Sequence, residues 1–286
     1  YIHDIGGPTA NFRHAACEKQ KKLGACPDRK CLFPKPCPNL NADHSEYVHL
    51  LERASAVHGV KRVFIRSGIR FDYMLADRKN DFFKRLVSEH TSGQLKVAPE
   101  HCSDNVLKYM GKPSVSVYKK FSDEFYRLSA ACGKEQYLVP YLMSSHPGAT
   151  LDDAIELALF LKHNGQRPEQ VQDFYPTPGT ASTCMYHTGI DPFTGKSVFV
   201  EKTYTGKKLQ RALLQYYKKE NQPLIRDALM KCGRSDLIGN GNDCLVPPAF
   251  VPHGKKPVGN DRYAARKNTV SKGGKRPDSK KNNRRG

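Results

Sequence analysis

Four of the nine cysteines, Cys17, Cys26, Cys31 and Cys37, fall in one short stretch, separated by eight, four and five residues. Four thiolates this close fit a tetrahedral zinc site or an iron-sulfur cluster, both of which take four cysteine ligands. The spacing contains no C-x-x-C pair, and Pro27, Pro34, Pro36 and Pro38 stiffen the segment. His44 is a substitute ligand, and unligated thiols or a single redox-active cysteine remain as alternatives. Five further stretches carry polar groups beside Gly or Pro: GGPTAN (6–11), RSGIR (66–70), PEHCSDN (99–105), SSHPGAT (144–150) and YPTPGTAS (175–182). Hydroxyls, imidazoles, a carboxylate and a guanidinium at such turns are the groups with which a small-molecule site fixes its ligand.

The elements that position these turns are legible from periodicity. KRVFIRSG (61–68), QLKVAPEH (94–101), EQYLVPYLMSS (135–145) and VQDFYPTP (171–178) are short apolar runs that predict strands. Helices are predicted over 45–58, 78–91, 103–110, 115–132 and 150–164; in the last, Thr150 caps the start, Asp152 and Asp153 favour the positive end, and Gly165 stops it. Strand and helix in alternation imply right-handed crossovers and a parallel α/β sheet, open or closed as a barrel. Ligands of such sheets sit at the carboxyl ends of the strands, where the five polar turns fall. From about residue 183 the pattern changes to a loop or short hairpin and then two helices divided near Pro223. The chain thus reads as an α/β body over 1–182 with a Cys-rich insertion at 17–37, a helical subdomain over 183–250, and a tail over 251–286.

That tail holds twelve basic residues against Asp261 and Asp278, over half of the net charge of +19, and almost nothing apolar. It is expected to be disordered and able to hold RNA or another polyanion through phosphate contacts. No run of eighteen apolar residues exists to cross a membrane, and clustered cysteines without a leader's apolar core point to a reducing cytoplasm.

The ordered set of turns is similar to one superfamily. LKVAPEHCSDNVLKYMGKP (95–113), YLMSSHPGAT (141–150) and VQDFYPTPGTAS (171–182) resemble the fourth, fifth and sixth strand ends of radical S-adenosylmethionine enzymes, in particular the YgiQ-type family, UPF0313. GGPTAN resembles the glycine pair after the second strand. The resemblance implies a partial TIM-like (β/α) barrel, strands two to six, over residues 1 to about 250. The C-x-x-x-C-x-x-C loop that defines the superfamily is absent, so the chain is expected to be the carboxyl-terminal part of a longer enzyme and inactive alone.

Carried over residue by residue, the resemblance makes Gly6 and Gly7 contacts for the amino acid part of S-adenosylmethionine. It makes Ser67, Arg70, Glu100 and His101 partners for its carboxylate or ribose, and His146, Pro147 and Gly148 the adenine side, with Tyr175 and Thr180 as weaker candidates. It further implies a 4Fe-4S cluster held by cysteines outside this chain, and an electron donor such as flavodoxin or ferredoxin. Cys17, Cys26, Cys31 and Cys37 would then hold an auxiliary iron-sulfur cluster or zinc. Cys102, in the fourth turn, is either a radical-handling thiol or a small residue tolerated there. The substrate is not implied. The alternative is a nucleic-acid-binding module with a structural zinc site and a basic tail.

Overall fold

The computed structural model describes residues 1–79 and 81–249, and there the chain is a mixed α/β protein. The tail expected over 251–286 lies outside the described residues. Four helices precede the sheet: α1 (Glu18–Leu23), α2 (Ser45–Ser55), α3 (Phe71–Ala76) and α4 (Asp81–Arg85), the last running into a π-turn at Leu86–His90. Strands β1 (Gln94–Glu100), β2 (Tyr137–Ser144) and β3 (Gln172–Asp173) then form a parallel sheet in chain order. Parallel neighbours need long crossovers. They are supplied by α5 (Asp104–Met110) and α6 (Val115–Ala131) between the first two strands, and by α7 (Leu151–His163) before the third. A separate parallel bridge joins Ile2 to Val63, with the Ile5 N–H donating to the Phe64 carbonyl at 2.9 Å.

Side-chain patterning explains why these elements pack as they do. On α6 the buried residues Tyr118, Phe121, Phe125 and Leu128 recur at helical spacing and make one apolar face. That face meets Phe82, Phe83, Leu86, Leu95 and Val97 in the largest core cluster. Phe83 and Phe121 stack with ring centroids 5.3 Å apart, and burying each ring contributes roughly 2–3 kcal/mol. A second core lies between α7, α9 (Tyr204–Leu214) and α10 (Gln222–Lys231), built on Ile155, Ala158, Leu213, Ile225 and Leu229. Thr150 caps α7 as expected, and Asp153 goes beyond the expected helix-end charge by closing a reciprocal capping box with it.

Four segments differ from expectation. The strand predicted over 61–68 is not formed; that stretch has only the isolated bridge of Val63 to Ile2. The single helix predicted over 78–91 is α4 plus the π-turn, because Thr91 Oγ1 donates back to the Leu86 carbonyl at 2.8 Å and widens the last turn. The strand predicted over 171–178 pairs at only two residues, since Pro176 and Pro178 have no N–H for a ladder. The stretch beginning near 183 starts inside α8 (Ala181–Thr188), which Thr180 caps and Gly189 ends in the left-handed conformation. The expected hairpin follows as an antiparallel bridge between Ile190 and Ser197. Among the described residues no helix is long and apolar enough to cross a membrane.

Candidate functional site

Alternation along β1 buries Leu95 and Val97 toward the core and turns Lys96, Ala98 and Glu100 to the other side. There a cleft of about 510 Å³ opens, lined also by Ser67, Gly68, Arg70, Asp72, Lys112 and Tyr141. Its size lies within the roughly 300–1,000 Å³ of small-molecule sites. Pairing between β1 and β2 is irregular between Val97 and Glu100, and Glu100 sits at φ 70°. Only Glu100 and Ser145, both at carboxyl ends of strands, are non-glycine residues at positive φ among the described residues. Such a backbone costs about 1–3 kcal/mol and persists where the surroundings impose it. Gly68, at φ 111°, comes so close to β1 that a Cβ there would stand 3.2 Å from the Lys96 carbonyl oxygen. The glycine is what lets the loop before α3 approach the β1 backbone.

Four of the five charged side chains that line the cleft form two ion pairs, and Lys96 Nζ lies over the Tyr141 ring, 5.9 Å from its centroid. Arg70 donates through Nε and Nη2 to the two carboxylate oxygens of Asp72, at 2.9 and 2.7 Å. Burial works against the Arg70 charge, but the hydrogen bonds and field of Asp72 outweigh it, so the guanidinium is held charged. Lys112 Nζ donates to the Ala98 carbonyl at 2.6 Å and to Glu100 Oε1 at 3.3 Å. Burial lowers the Lys112 pKa, and Glu100 offsets only part of that. Behind Arg70 stands a buried relay. Asn11 accepts from the Arg70 N–H at 2.7 Å and donates to its carbonyl at 3.0 Å, while His44 bridges Asn11 Nδ2 at 3.1 Å and Asp77 at 2.7 Å.

Of the residues named by sequence, Ser67, Arg70 and Glu100 line this cleft. Gly6 packs on Ser67, and the Gly7 N–H donates to the Gly68 carbonyl at 3.1 Å, so both back its wall. His101, His146, Pro147 and Gly148 are not among the cleft's lining residues. His101 is buried and accepts from the Ser103 N–H through Nδ1; His146 donates to the Pro147 carbonyl and meets Ser182 Oγ at 2.9 Å. Gly148, at φ 92°, lies where a Cβ would enter the Tyr109 ring. Tyr175 is exposed and Thr180 caps α8. Cys102 is buried against Leu142, Leu157 and Leu161, and burial pushes its thiol far up. His44 is not open to a metal as a substitute ligand, because both ring nitrogens are engaged. Asp72 and Asp77 lie outside the stretches singled out by sequence, and Asn11 and Lys112 lie inside two of them without having been assigned a role. Lys112 follows Gly111, which ends α5 in the left-handed conformation and turns the lysine back onto β1, a fold-level placement with no local motif.

Burial lowers the pKa of His101 and of His146 from 6.5 to about 4, with Asp153 opposing the shift at His101 and His146 adding to it. Each imidazole binds its proton more weakly folded than unfolded, so stability is full above pH 6.5 and falls as the pH drops toward 4. The expected loss is about 3 kcal/mol per histidine by pH 4. Urea unfolding at pH 7.5 and 4.5 checks this, and an unchanged midpoint contradicts it.

The four clustered cysteines are half-buried and unpaired. The Cys31 thiol is raised by burial and, to a smaller extent, by Cys17, Cys37 and Cys26. Its charge also bears on Arg70, and Lys30 Nζ packs against Gly111 of the cleft wall. Among the described residues no three Cys, His, Asp or Glu side chains are already placed to hold one metal ion together. A second cavity, of about 660 Å³, lies toward the amino ends of β1 and β2, lined by Gln94, Tyr126, Tyr137 and Arg167. In parallel sheets ligands are bound at the carboxyl ends, which favours the cleft.

Fold and site together define an α/β protein with a polar, charge-paired cleft at the carboxyl ends of parallel strands. The chain is 56% identical over 246 residues to a UPF0313 protein of Clostridium perfringens strain 13, an alignment covering 86% of this chain and 37% of that protein. It is 57% identical over 247 residues to a UPF0313 protein of Clostridium botulinum strain Okra, covering 86% and 38%. The family model described as a domain of unknown function, DUF3362, matches residues 169–285. The chain belongs to the UPF0313 family and spans well under half the length of these relatives.

Proposed function

We propose that the cleft is the S-adenosylmethionine-binding face of a radical S-adenosylmethionine enzyme, as part of a partial (β/α) barrel. The observation that carries the reading is the meeting of Ser67 and Arg70, from the loop that precedes α3, with Glu100, from the end of β1, on one cleft. The groups present fit the ligand. Among the described residues Arg70 Nη1 makes no hydrogen bond and is available to a carboxylate, Glu100 suits an ammonium, and Ser67 Oγ suits a hydroxyl. The Gly68 cradle admits a flat or extended ligand close to the backbone, and Phe71 and Met143 line the cleft with apolar surface that excludes water.

S-adenosylmethionine bound to a 4Fe-4S cluster and reduced by one electron supplies a 5′-deoxyadenosyl radical for hydrogen-atom abstraction from a substrate. The share of this chain is to bind, orient and shield that cofactor; the cluster ligands, the electron donor and the substrate belong to the proposal for the longer protein. Calorimetric titration of the chain with S-adenosylmethionine tests the reading. The expected result is saturable binding that S-adenosylhomocysteine competes and adenosine alone competes weakly. No heat and no competition would overturn it. Twelve basic residues in 251–286 favour a second role, polyanion binding, for that segment.

A further inference from the structure

From Cys17 to Asp43 the chain builds almost no core. Its helix α1 buries nothing, and Leu32 is the one side chain of the segment that is fully buried. Yet the segment is folded back on itself. The Asn41 N–H donates to the Ala16 carbonyl at 2.8 Å and closes its base, and the Cys37 N–H donates to the Cys31 carbonyl at 2.8 Å and closes its tip. A stretch this long without a core needs another source of stability, and in small apolar-poor units that source is a disulfide or a metal. All four cysteines are drawn partly inside while most of their neighbours are exposed. The flanking charge is matched to a dense anionic centre: Lys19, Lys21, Lys22, Arg29, Lys30 and Lys35 stand against Glu18 and Asp28. Four thiolates around a doubly charged metal centre leave two negative charges, which those basic side chains compensate.

We infer that Cys17, Cys26, Cys31 and Cys37, of which no three already converge on one metal position, close around a metal on binding it, as a tetrathiolate centre that staples this segment against the rim of the cleft. Its ligand is a thiophilic metal, as a zinc ion or an iron-sulfur cluster. The centre borders the cleft through Lys30 at Gly111, so its occupation orders one wall of the site. Four of the nine cysteines are committed to it, and Cys102, Cys132, Cys184, Cys232 and Cys244 are not.

The test is metal and sulfide analysis of the full chain purified without oxygen, as isolated and after incubation with zinc or with iron and sulfide. About one zinc, or about four irons with matching sulfide, per chain is expected, and the ratio identifies the centre. A Cys26→Ser, Cys31→Ser double variant should lose at least tenfold of that metal. Where that variant fails to fold, thiol counting on the intact chain decides: four more cysteines should react with a thiol reagent after a strong chelator than before. A folded chain that takes up no metal, or a double variant that keeps it, overturns the inference. S-adenosylmethionine binding is read separately, so failure of the metal centre and failure of the cofactor proposal are distinguishable.

Discussion

His44→Ala is expected to lower the stability of the chain by about 3–4 kcal/mol, the largest single effect outside the aromatic core. The side chains of His44 and Asp77 are 1% and 5% exposed, and their hydrogen bond is 2.7 Å long. The imidazole also stacks on Phe82 with centroids 4.7 Å apart and planes 9° from parallel. Alanine removes that packing, leaves a cavity, and strands a carboxylate and an amide away from water. Burial lowers the His44 pKa although Asp77 opposes it, so the ring works as a neutral bridge, Nδ1–H toward Asp77 and Nε2 toward Asn11. His44→Phe restores the volume but not the hydrogen bonds and should recover less than half of the loss. Urea unfolding of both variants measures this; a loss under 1 kcal/mol for alanine would mean that Asp77 and Asn11 find other partners.

Arg70→Ala is expected to weaken S-adenosylmethionine binding by at least tenfold, about 1.4 kcal/mol, while costing the fold little more than that. The two effects separate because the Arg70 side chain is 34% exposed, whereas Asp72 beneath it is 7% exposed. Solvent at the cleft mouth screens the pair, so its loss costs less than a fully buried pair would. Arg70→Lys keeps the charge but not the planar fork that grips Asp72 at two points, and should recover only part of the affinity. Equal affinity in wild type and Arg70→Ala would remove the guanidinium from the site.

The relation between these residues and the sequence is uneven for a physical reason. Glu100 was legible because strand ends can be read from apolar runs, and α/β sheets bind at those ends; Ser67 and Arg70 follow an apolar run that meets Ile2 only at the bridge of Val63 rather than forming the predicted strand. The start of α7 was legible because Thr150 and Asp153 act on each other locally. Asn11, Asp77 and Lys112 were not, since their partners lie 59, 33 and 14 residues away and no local pattern marks such pairs. His44 was read as a substitute ligand beside the four cysteines because a histidine near cysteines has that chemistry; burial between Phe82 and Tyr73 and its two hydrogen bonds decide otherwise. His101 and His146 were assigned to the cofactor through their turns, but their rings face inward rather than into the cleft. The shortness of β3 was hidden by an apolar run whose prolines end the ladder.

The measurement that tests the central claim most directly is hydrogen–deuterium exchange of the chain with and without saturating S-adenosylmethionine. The account predicts slower exchange in peptides covering 67–72, 96–100 and 110–112, where the cleft is lined, and no change over 164–170, beside the larger cavity at the other end of the strands. Protection over 164–170 with none over 67–72 would contradict it.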